Sequence, residues 1–320
     1  MKLVLVGPGA FGAQHLAALA QIEDVEIISV VGPDQGKARS LADEYCIPHT
    51  DLSLEVALER SDVEAVILTS PSNLHATQAM ECLRAGKHVA IEIPAGTNWP
   101  EIDTLNRLHR RSDLVCSVGH TRRYNPSHQW LKRNIENGTF TLQHLQVQTF
   151  FHRRTNTNAL GEARDWTDHL LWHHAAHTVD LFLYQTGETI TYANILAGPE
   201  HANLGIAMDL SIQMQSETGK LLTLALSFNH QGPLGTTFRY IGDTGTYIAR
   251  YDELTDGNGV QIDLSSADKC RSGIELQDRD FIDSIRTGTT PRSCLSNVLP
   301  CYEVLRDLES QLAAQRGAVH

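Results

Sequence analysis

Residues 2–12 read KLVLVGPGAFG. The apolar run Leu3–Val6 suits a buried strand, and Gly7, Gly9 and Gly12 follow it in G-x-G-x-x-G spacing. The next residues, FGAQHLAALAQI (11–22), repeat apolar side chains at helical intervals. Strand, glycine turn and helix in that order give the glycines physical roles. Gly7 allows a tight turn, Gly9 lets the backbone approach a pyrophosphate, and Gly12 lets the helix pack closely. Ala10 and Phe11 open the helix, whose N-terminus favours negative charge. Alone the spacing is weak, so its setting matters. The same rhythm continues to residue 119. VEIISVVG (25–32), VEAVILTS (63–70), HVAIEI (88–93) and LVCSVG (114–119) read as strands. QGKARSLADEY (35–45) and HATQAMECLRAG (75–86) read as helices. Apolar strands alternating with helices predict a parallel, doubly wound sheet: a Rossmann domain over residues 1–121. The glycines also argue against reading MKLVLVGPGAFG as a secretory leader.

After Arg122 the pattern changes. LQHLQVQTFF (142–151), ITYANILAG (190–198), IAMDLSIQMQSE (206–217), LLTLALSFNH (221–230) and TTFRYIGDTGTYIAR (236–250) partly alternate and are joined by turn-rich links. They predict an α+β domain over residues 122–320 with a large open, mostly antiparallel sheet. A helix is expected near 168–184, and an amphipathic helix over 298–315.

The chain has 320 residues, enough for two domains, with 41% hydrophobic and 20% charged residues. A net charge of −12 disfavours broad binding to nucleic acid or anionic membrane. The six cysteines are scattered without redox or metal spacing, which predicts free thiols and a cytoplasmic protein.

The tip of the second strand bears on cofactor choice. An acidic side chain there would bond a ribose 2′-hydroxyl and favour NAD. Gly32 and Pro33 occupy the tip, Asp34 comes later, and Lys37 and Arg39 lie just beyond. This tilts the expectation to NADP. NAD stays open, because Asp34 can swing back and the two cations read equally well as a solvated helix face.

The stretch TSPSNLHATQAMECLRAGKHVAIEIPAG (69–96) resembles the T-P-x-x-x-H…A-G-K-H-V-x-x-E-K-P signature of the glucose–fructose oxidoreductase and inositol dehydrogenase family. IGDTGTYI (241–248) and DRDFIDSIRTGTTP (278–291) extend the likeness over the whole chain. The resemblance implies a Rossmann domain followed by an open-sheet domain that serves as a subunit interface, hence a homodimer or homotetramer. It also implies that Thr69, Ser70, Pro71, Asn73, His75, Glu92, Ile93 and Pro94 border the cofactor, with Arg122 close by and Pro94 in a cis turn. GHTRRYNPSH (119–128), RDWTDHLLWHHAAHTVDLF (164–182), LSFNHQGPLGT (226–236) and YIARYDEL (247–254) are similar to the group of 4-carboxy-2-hydroxymuconate-6-semialdehyde dehydrogenases. These oxidise a cyclic hemiacetal to 2-pyrone-4,6-dicarboxylate in protocatechuate 4,5-cleavage, usually with NADP.

The chain departs from the broad family at two points. Ile93 replaces the lysine of Glu-Lys-Pro, and His173 replaces the aspartate of a D-x-x-x-H pair whose histidine is His177. A hemiacetal hydroxyl is more acidic than an ordinary alcohol, and its oxidation yields an ester. A histidine near its ordinary pKa then suffices as base. His177 is the expected base, with His173 one helical turn earlier. His169, His173 and His177 are spaced i, i+4, i+8, and His174 adjoins them. No metal is expected, because the nicotinamide supplies the redox chemistry. A dicarboxylate calls for convergent arginines. Arg122, Arg123 and Arg164 are the candidates, with Trp166, Asp165 and His174 shaping the pocket and Arg153 and Arg154 undecided. Two other readings compete: a sugar or cyclic-polyol dehydrogenase, and a non-catalytic NADPH sensor.

Overall fold

The computed structural model describes residues 1–157, 161, 163, 169–264 and 272–317. The chain divides into two compact units. Unit 1 is Met1–His120 with Ile274–Leu299, and unit 2 is Thr121–Gly273 with Pro300–His320.

Unit 1 holds strands β1 (Lys2–Val6), β2 (Glu26–Val31), β3 (His49–Asp51), β4 (Ala65–Leu68), β5 (His88–Ile91) and β6 (Cys116–Val118). They form one sheet in the order β3-β2-β1-β4-β5-β6, and each pair is parallel. This is the doubly wound dinucleotide-binding topology, whose strand order reverses beside β1. Val4, Leu5, Val66 and Ile67 are at most 1% exposed, as expected of strands covered on both faces. Burying each such side chain contributes about 1.5–3 kcal/mol. The sequence reading missed β3, which has only three residues. It also placed everything after 121 in the second domain, whereas the chain returns to unit 1 at Ile274. Phe281 and Ile282 of the helix Gly273–Thr287 are buried in one core with Leu3, Leu5, Leu16 and Ile67. The apolar face of that helix draws the segment back.

Unit 2 holds β7 (Leu142–Phe150), β8 (Ile190–Ala197), β9 (Asp209–Ser216), β10 (Leu221–Ser227), β11 (Gly235–Gly242), β12 (Thr246–Arg250) and β13 (Glu253–Asp256). Their order is β13-β12-β11-β7-β10-β9-β8. Only the β7–β10 pair is parallel. Alternation decides which face is covered: Leu145 and Val147 of β7, Leu222 and Leu224 of β10, and Phe238 and Tyr240 of β11 are all buried. The last helix is Leu295–Gly317, and the boundary between units falls at Pro300 within it. No helix among the described residues is long and apolar enough to cross a membrane.

Candidate active site

In unit 1 the glycine turn leaves no room for side chains where the chain doubles back. Gly7 has φ +105°, and a Cβ there would lie 2.6 Å from the Thr69 carbonyl oxygen. A Cβ on Gly12 would lie 2.2 Å from the Gly7 oxygen. Gly9 differs, because a Cβ there meets nothing within 4 Å. The open side of the turn is therefore at Gly9, which begins the helix Ala10–Leu19 without a side-chain cap. Uncapped N–H groups beside an open glycine fit a pyrophosphate. Thr69 fixes the neighbouring turn by donating its hydroxyl to the oxygens of Val6 and Gly7, each at 2.9 Å. Ser70 donates to Gln78. Pro71 and Asn73 lie on the short turn before the helix His75–Arg84.

The β2 tip has no acidic side chain. Gly32 packs on Pro8, which a Cβ would approach to 2.6 Å. Asp34 caps the next helix, accepting from the Lys37 backbone N–H at 3.0 Å. A carboxylate used as a cap is held at the helix N-terminus. Lys37 and Arg39 have exposed side chains on that helix.

The Glu-Ile-Pro segment follows β5. The Ile93–Pro94 peptide is cis. His75 spans this turn, with Nδ1 2.8 Å from the Pro94 oxygen and Nε2 2.7 Å from the Ser70 oxygen. Burial lowers the His75 pKa, against the pull of those carbonyls and of Glu92. Ile93 is 3% exposed, so its side chain is packed into the core at this turn. Glu92 is held by a residue the sequence reading passed over. His15 Nε2 lies 3.1 Å from Glu92 Oε1, and His15 Nδ1 lies 2.9 Å from Asp278 Oδ2. Burial would depress His15, but Asp278 and Glu92 overcome it and raise its pKa to about 10. His15 is three residues past Gly12 on the glycine-turn helix, which was its one available signal. Asp278, 263 residues away, gave none.

In unit 2 the histidines stand on an irregular helix. Leu170–Ala175 form a π-turn that passes into the α-helix Ala176–Thr186. The i, i+4, i+8 face therefore fails at its first member. His169 is outside the helix as its cap, and its Nδ1 accepts from the backbone N–H groups of Leu171 and Trp172 at 3.2 and 3.4 Å. His173 and His177 stay together, their rings edge to face with centroids 6.0 Å apart. His174 sits 4.7 Å from His173 and packs on Phe151 and Phe228. All three are half-buried, while His169 is exposed. Among the described residues no three His, Cys, Asp or Glu side chains converge as a metal cage requires.

The two adjacent arginines differ. Arg123 is 4% exposed and gives its fork to Asp180, with Nε–Oδ2 at 2.8 Å and Nη2–Oδ1 at 2.6 Å. Its guanidinium also lies 4.8 Å above the Tyr184 ring. As a substrate ligand Arg123 is thus a poor candidate: its charge is spent on Asp180, one turn after His177. Arg122 makes no ion pair among the described residues. It lies 5.2 Å from the Tyr251 ring and 5.9 Å from Phe238, donates to Asn125 Oδ1 at 3.4 Å, and leaves a buried Nε without a partner. Burial lowers its pKa, with Tyr251 and Asp252 opposing. Beneath it Tyr240 and His128 form a buried pair at 2.8 Å that the sequence reading also missed. Arg153 stacks 4.8 Å from Phe228, the ring that also touches His174, whereas Arg154 donates to the Arg153 and Phe228 carbonyls. Arg164, Asp165 and Trp166 lie outside the described residues.

One unit carries a glycine cradle on a doubly wound sheet, and the other carries histidines and a guanidinium without an ion pair among the described residues; together these features define a nicotinamide-dependent dehydrogenase. Residues 1–120 match the oxidoreductase family with NAD-binding Rossmann fold, and residues 126–268 match the C-terminal domain of bacterial oxidoreductases. The chain belongs to this oxidoreductase family. It is 52% identical to a 4-carboxy-2-hydroxymuconate-6-semialdehyde dehydrogenase of Sphingobium, over 98% of this chain and 100% of that one. A scyllo-inositol 2-dehydrogenase (NADP(+)) of Bacillus subtilis is 30% identical over 84% of this chain and 75% of its own length. A scyllo-inositol dehydrogenase from Lactobacillus casei, solved with NAD(H) and scyllo-inositol, superposes with a TM-score of 0.79 at 18% identity. That alignment covers 97% of this chain and 95% of the other, and it speaks for the fold alone.

Proposed function

We propose that this dehydrogenase oxidises the cyclic hemiacetal of 4-carboxy-2-hydroxymuconate-6-semialdehyde to 2-pyrone-4,6-dicarboxylate, with NADP as the preferred acceptor, in protocatechuate 4,5-cleavage. The relative at 52% identity carries that substrate in its name. The structural observation that carries the reading is Arg122, a guanidinium without an ion pair among the described residues, set against two aromatic rings in the unit that bears His173, His174 and His177. Such a group suits a carboxylate on a flat, unsaturated ring.

The bound nicotinamide supplies the hydride acceptor. The turn Gly7–Gly12 would hold its pyrophosphate, and Thr69, Ser70, Pro71, Asn73, His75, Glu92, Ile93 and Pro94 would form the bordering wall. An imidazole nitrogen of His177 takes the proton from the hemiacetal hydroxyl oxygen, and His173 lies edge-on beside it. That oxygen is on a carbon bearing a second oxygen, so its proton leaves more readily than that of a polyol. Arg122 clamps one carboxylate, and His174 flanks the substrate on the same unit. Asp34 as a helix cap, Gly32 at the strand tip and the exposed Lys37 support a 2′-phosphate over a free ribose. Free thiols at Cys46, Cys82, Cys116, Cys294 and Cys301 support a cytoplasmic setting. Tyr192 and Leu196, exposed on edge strand β8, support self-association through the open sheet.

The test is direct. The semialdehyde is generated in situ from protocatechuate with a 4,5-dioxygenase, and nicotinamide reduction is followed with NADP and with NAD. Rapid reduction with NADP is expected. Reduction of neither cofactor overturns the reading, and a rate ratio favouring NAD overturns the cofactor assignment.

A further inference from the structure

His15, Glu92 and Asp278 form a cluster whose charge no step above uses. His15 is 1% exposed and Asp278 1%, and the Glu92 side chain is 12% exposed. Both imidazole nitrogens face carboxylate oxygens: Nδ1 at 3.0 and 2.9 Å from Asp278, Nε2 at 3.1 Å from Glu92. A neutral imidazole donates from one nitrogen only, and a charged carboxylate stands at each nitrogen, so this arrangement favours the doubly protonated ring. One cation then stands between two carboxylates. The groups around them do not cancel the remainder. Burial, Glu92 and Glu275 raise the Asp278 pKa against the pull of His15, and Glu275 is itself paired with Arg279 at 2.7 Å. His75, which faces Glu92, also has an acceptor at each nitrogen, but these are the neutral carbonyls of Pro94 and Ser70, and burial outweighs them and holds the ring towards its neutral form.

The cluster's position gives that remainder a target. The glycine turn after β1 takes the pyrophosphate, and the adenosine side extends over the tip of β2. The nicotinamide half would then be held on the other side, at the carboxyl ends of β4, β5 and β6. Glu92 directly follows β5, and it lies against Gly119 just after β6, where a Cβ would come within 2.7 Å of Glu92 Oε1.

We propose that the Glu92–His15–Asp278 cluster carries a fixed net negative charge that favours the cationic, oxidised nicotinamide over the neutral, reduced one. The oxidised ring carries one positive charge more than the reduced ring, so a nearby anion stabilises it selectively. The result is tighter retention of the oxidant and easier release of the reduced product. The inference rests on the nicotinamide reading, and cofactor binding itself tests that reading separately.

The experiment measures dissociation constants of NADP⁺ and NADPH (or NAD⁺ and NADH, whichever pair binds) by calorimetry on the wild type, Glu92→Gln and Asp278→Asn. Each substitution removes one negative charge and keeps the shape. Charge tuning predicts that the ratio Kd(reduced)/Kd(oxidised) falls about tenfold in Glu92→Gln and less in Asp278→Asn, whose carboxylate lies beyond His15. A tenfold change corresponds to about 30 mV in the potential of the bound two-electron couple. A merely structural role predicts weaker binding of both forms with an unchanged ratio, which overturns the proposal. Failure of the wild type to bind either cofactor overturns the nicotinamide reading itself. Nitrogen NMR of the wild-type imidazole needs no variant: His15 doubly protonated at pH 8 is expected, and a neutral ring there overturns the proposal.

Discussion

Asp180→Asn is the sharpest test of how unit 2 is held together. The carboxylate is 0% exposed and takes both hydrogen bonds of the Arg123 fork at 2.6–2.8 Å. Burial opposes the Arg123 charge, and Asp180 more than compensates, raising the guanidinium pKa. Removing the carboxylate charge leaves an uncompensated buried cation, a loss of about 3–5 kcal/mol. For a cooperative unit of this size, Tm falls about 2–4 °C per kcal/mol, hence roughly 6–20 °C. Calorimetric melting at pH 7.5 is the assay. The partner experiment is Arg123→Met with Asp180→Leu, which removes both charges and keeps volume. This double variant should recover most of the lost Tm, because an apolar pair carries no desolvation cost. A drop below about 1 kcal/mol in Asp180→Asn would mean that water reaches the pair, as for exposed ion pairs. That result would refute the claim that Arg123 is structural and would return it to the substrate.

Arg122→Met should raise KM for the dicarboxylate about 10- to 100-fold with a smaller change in kcat, the loss expected of one charge-assisted bond. Arg122→Lys should rescue it poorly, since an ammonium lacks the planar fork between the rings. His177→Gln should lower kcat about 10²- to 10⁴-fold in steady-state assays with cofactor affinity intact. Wild-type stability should fall between pH 6.5 and 10. The folded His15 pKa of about 10 exceeds the unfolded value, so the native state binds the extra proton in that window. The contribution is complete below about pH 6.5 and disappears as pH rises through 10, on the order of a few kcal/mol. Denaturant melts of the wild type and His15→Gln across pH 6–10 should converge at the alkaline end.

The features legible in the sequence are those fixed by backbone sterics and by repeating pattern. Gly7, Gly9 and Gly12 were readable because only glycine fits two of those positions, and the sheet was readable because its strands are continuously apolar. The unread features depend on partners far away in the chain. His15 looks like an ordinary helix residue until Asp278 arrives from the returning helix. Arg122 and Arg123 are adjacent and alike in sequence, yet packing gives one an ion pair and leaves the other against two aromatic rings. The π-turn at Leu170–Ala175 shifts phase by one residue, so a count of four was right for His173 and His177 and wrong for His169. Strand β3 was missed because three residues cannot display a period.

The replacement of lysine by Ile93 can now be weighed against its neighbours. A proton acceptor on the Glu-x-Pro segment has to come from Ile93 or Glu92. Ile93 has no titratable group and is buried at 3% exposure. Burial would favour protonation of Glu92, but His15 and the Ile93 N–H outweigh it and hold the carboxyl below its usual range, so it is a weak base near neutral pH. On the proposed reading, proton transfer therefore passes to unit 2. There the half-buried imidazoles of His173, His174 and His177 stand ring to ring, and the aspartate of the polyol enzymes has itself become a histidine. The two departures from the family pattern are thus one change. A substrate whose hydroxyl is already acidic removes the need for the lysine, and a substrate with two carboxylates makes an imidazole beside the base more useful than a second acid.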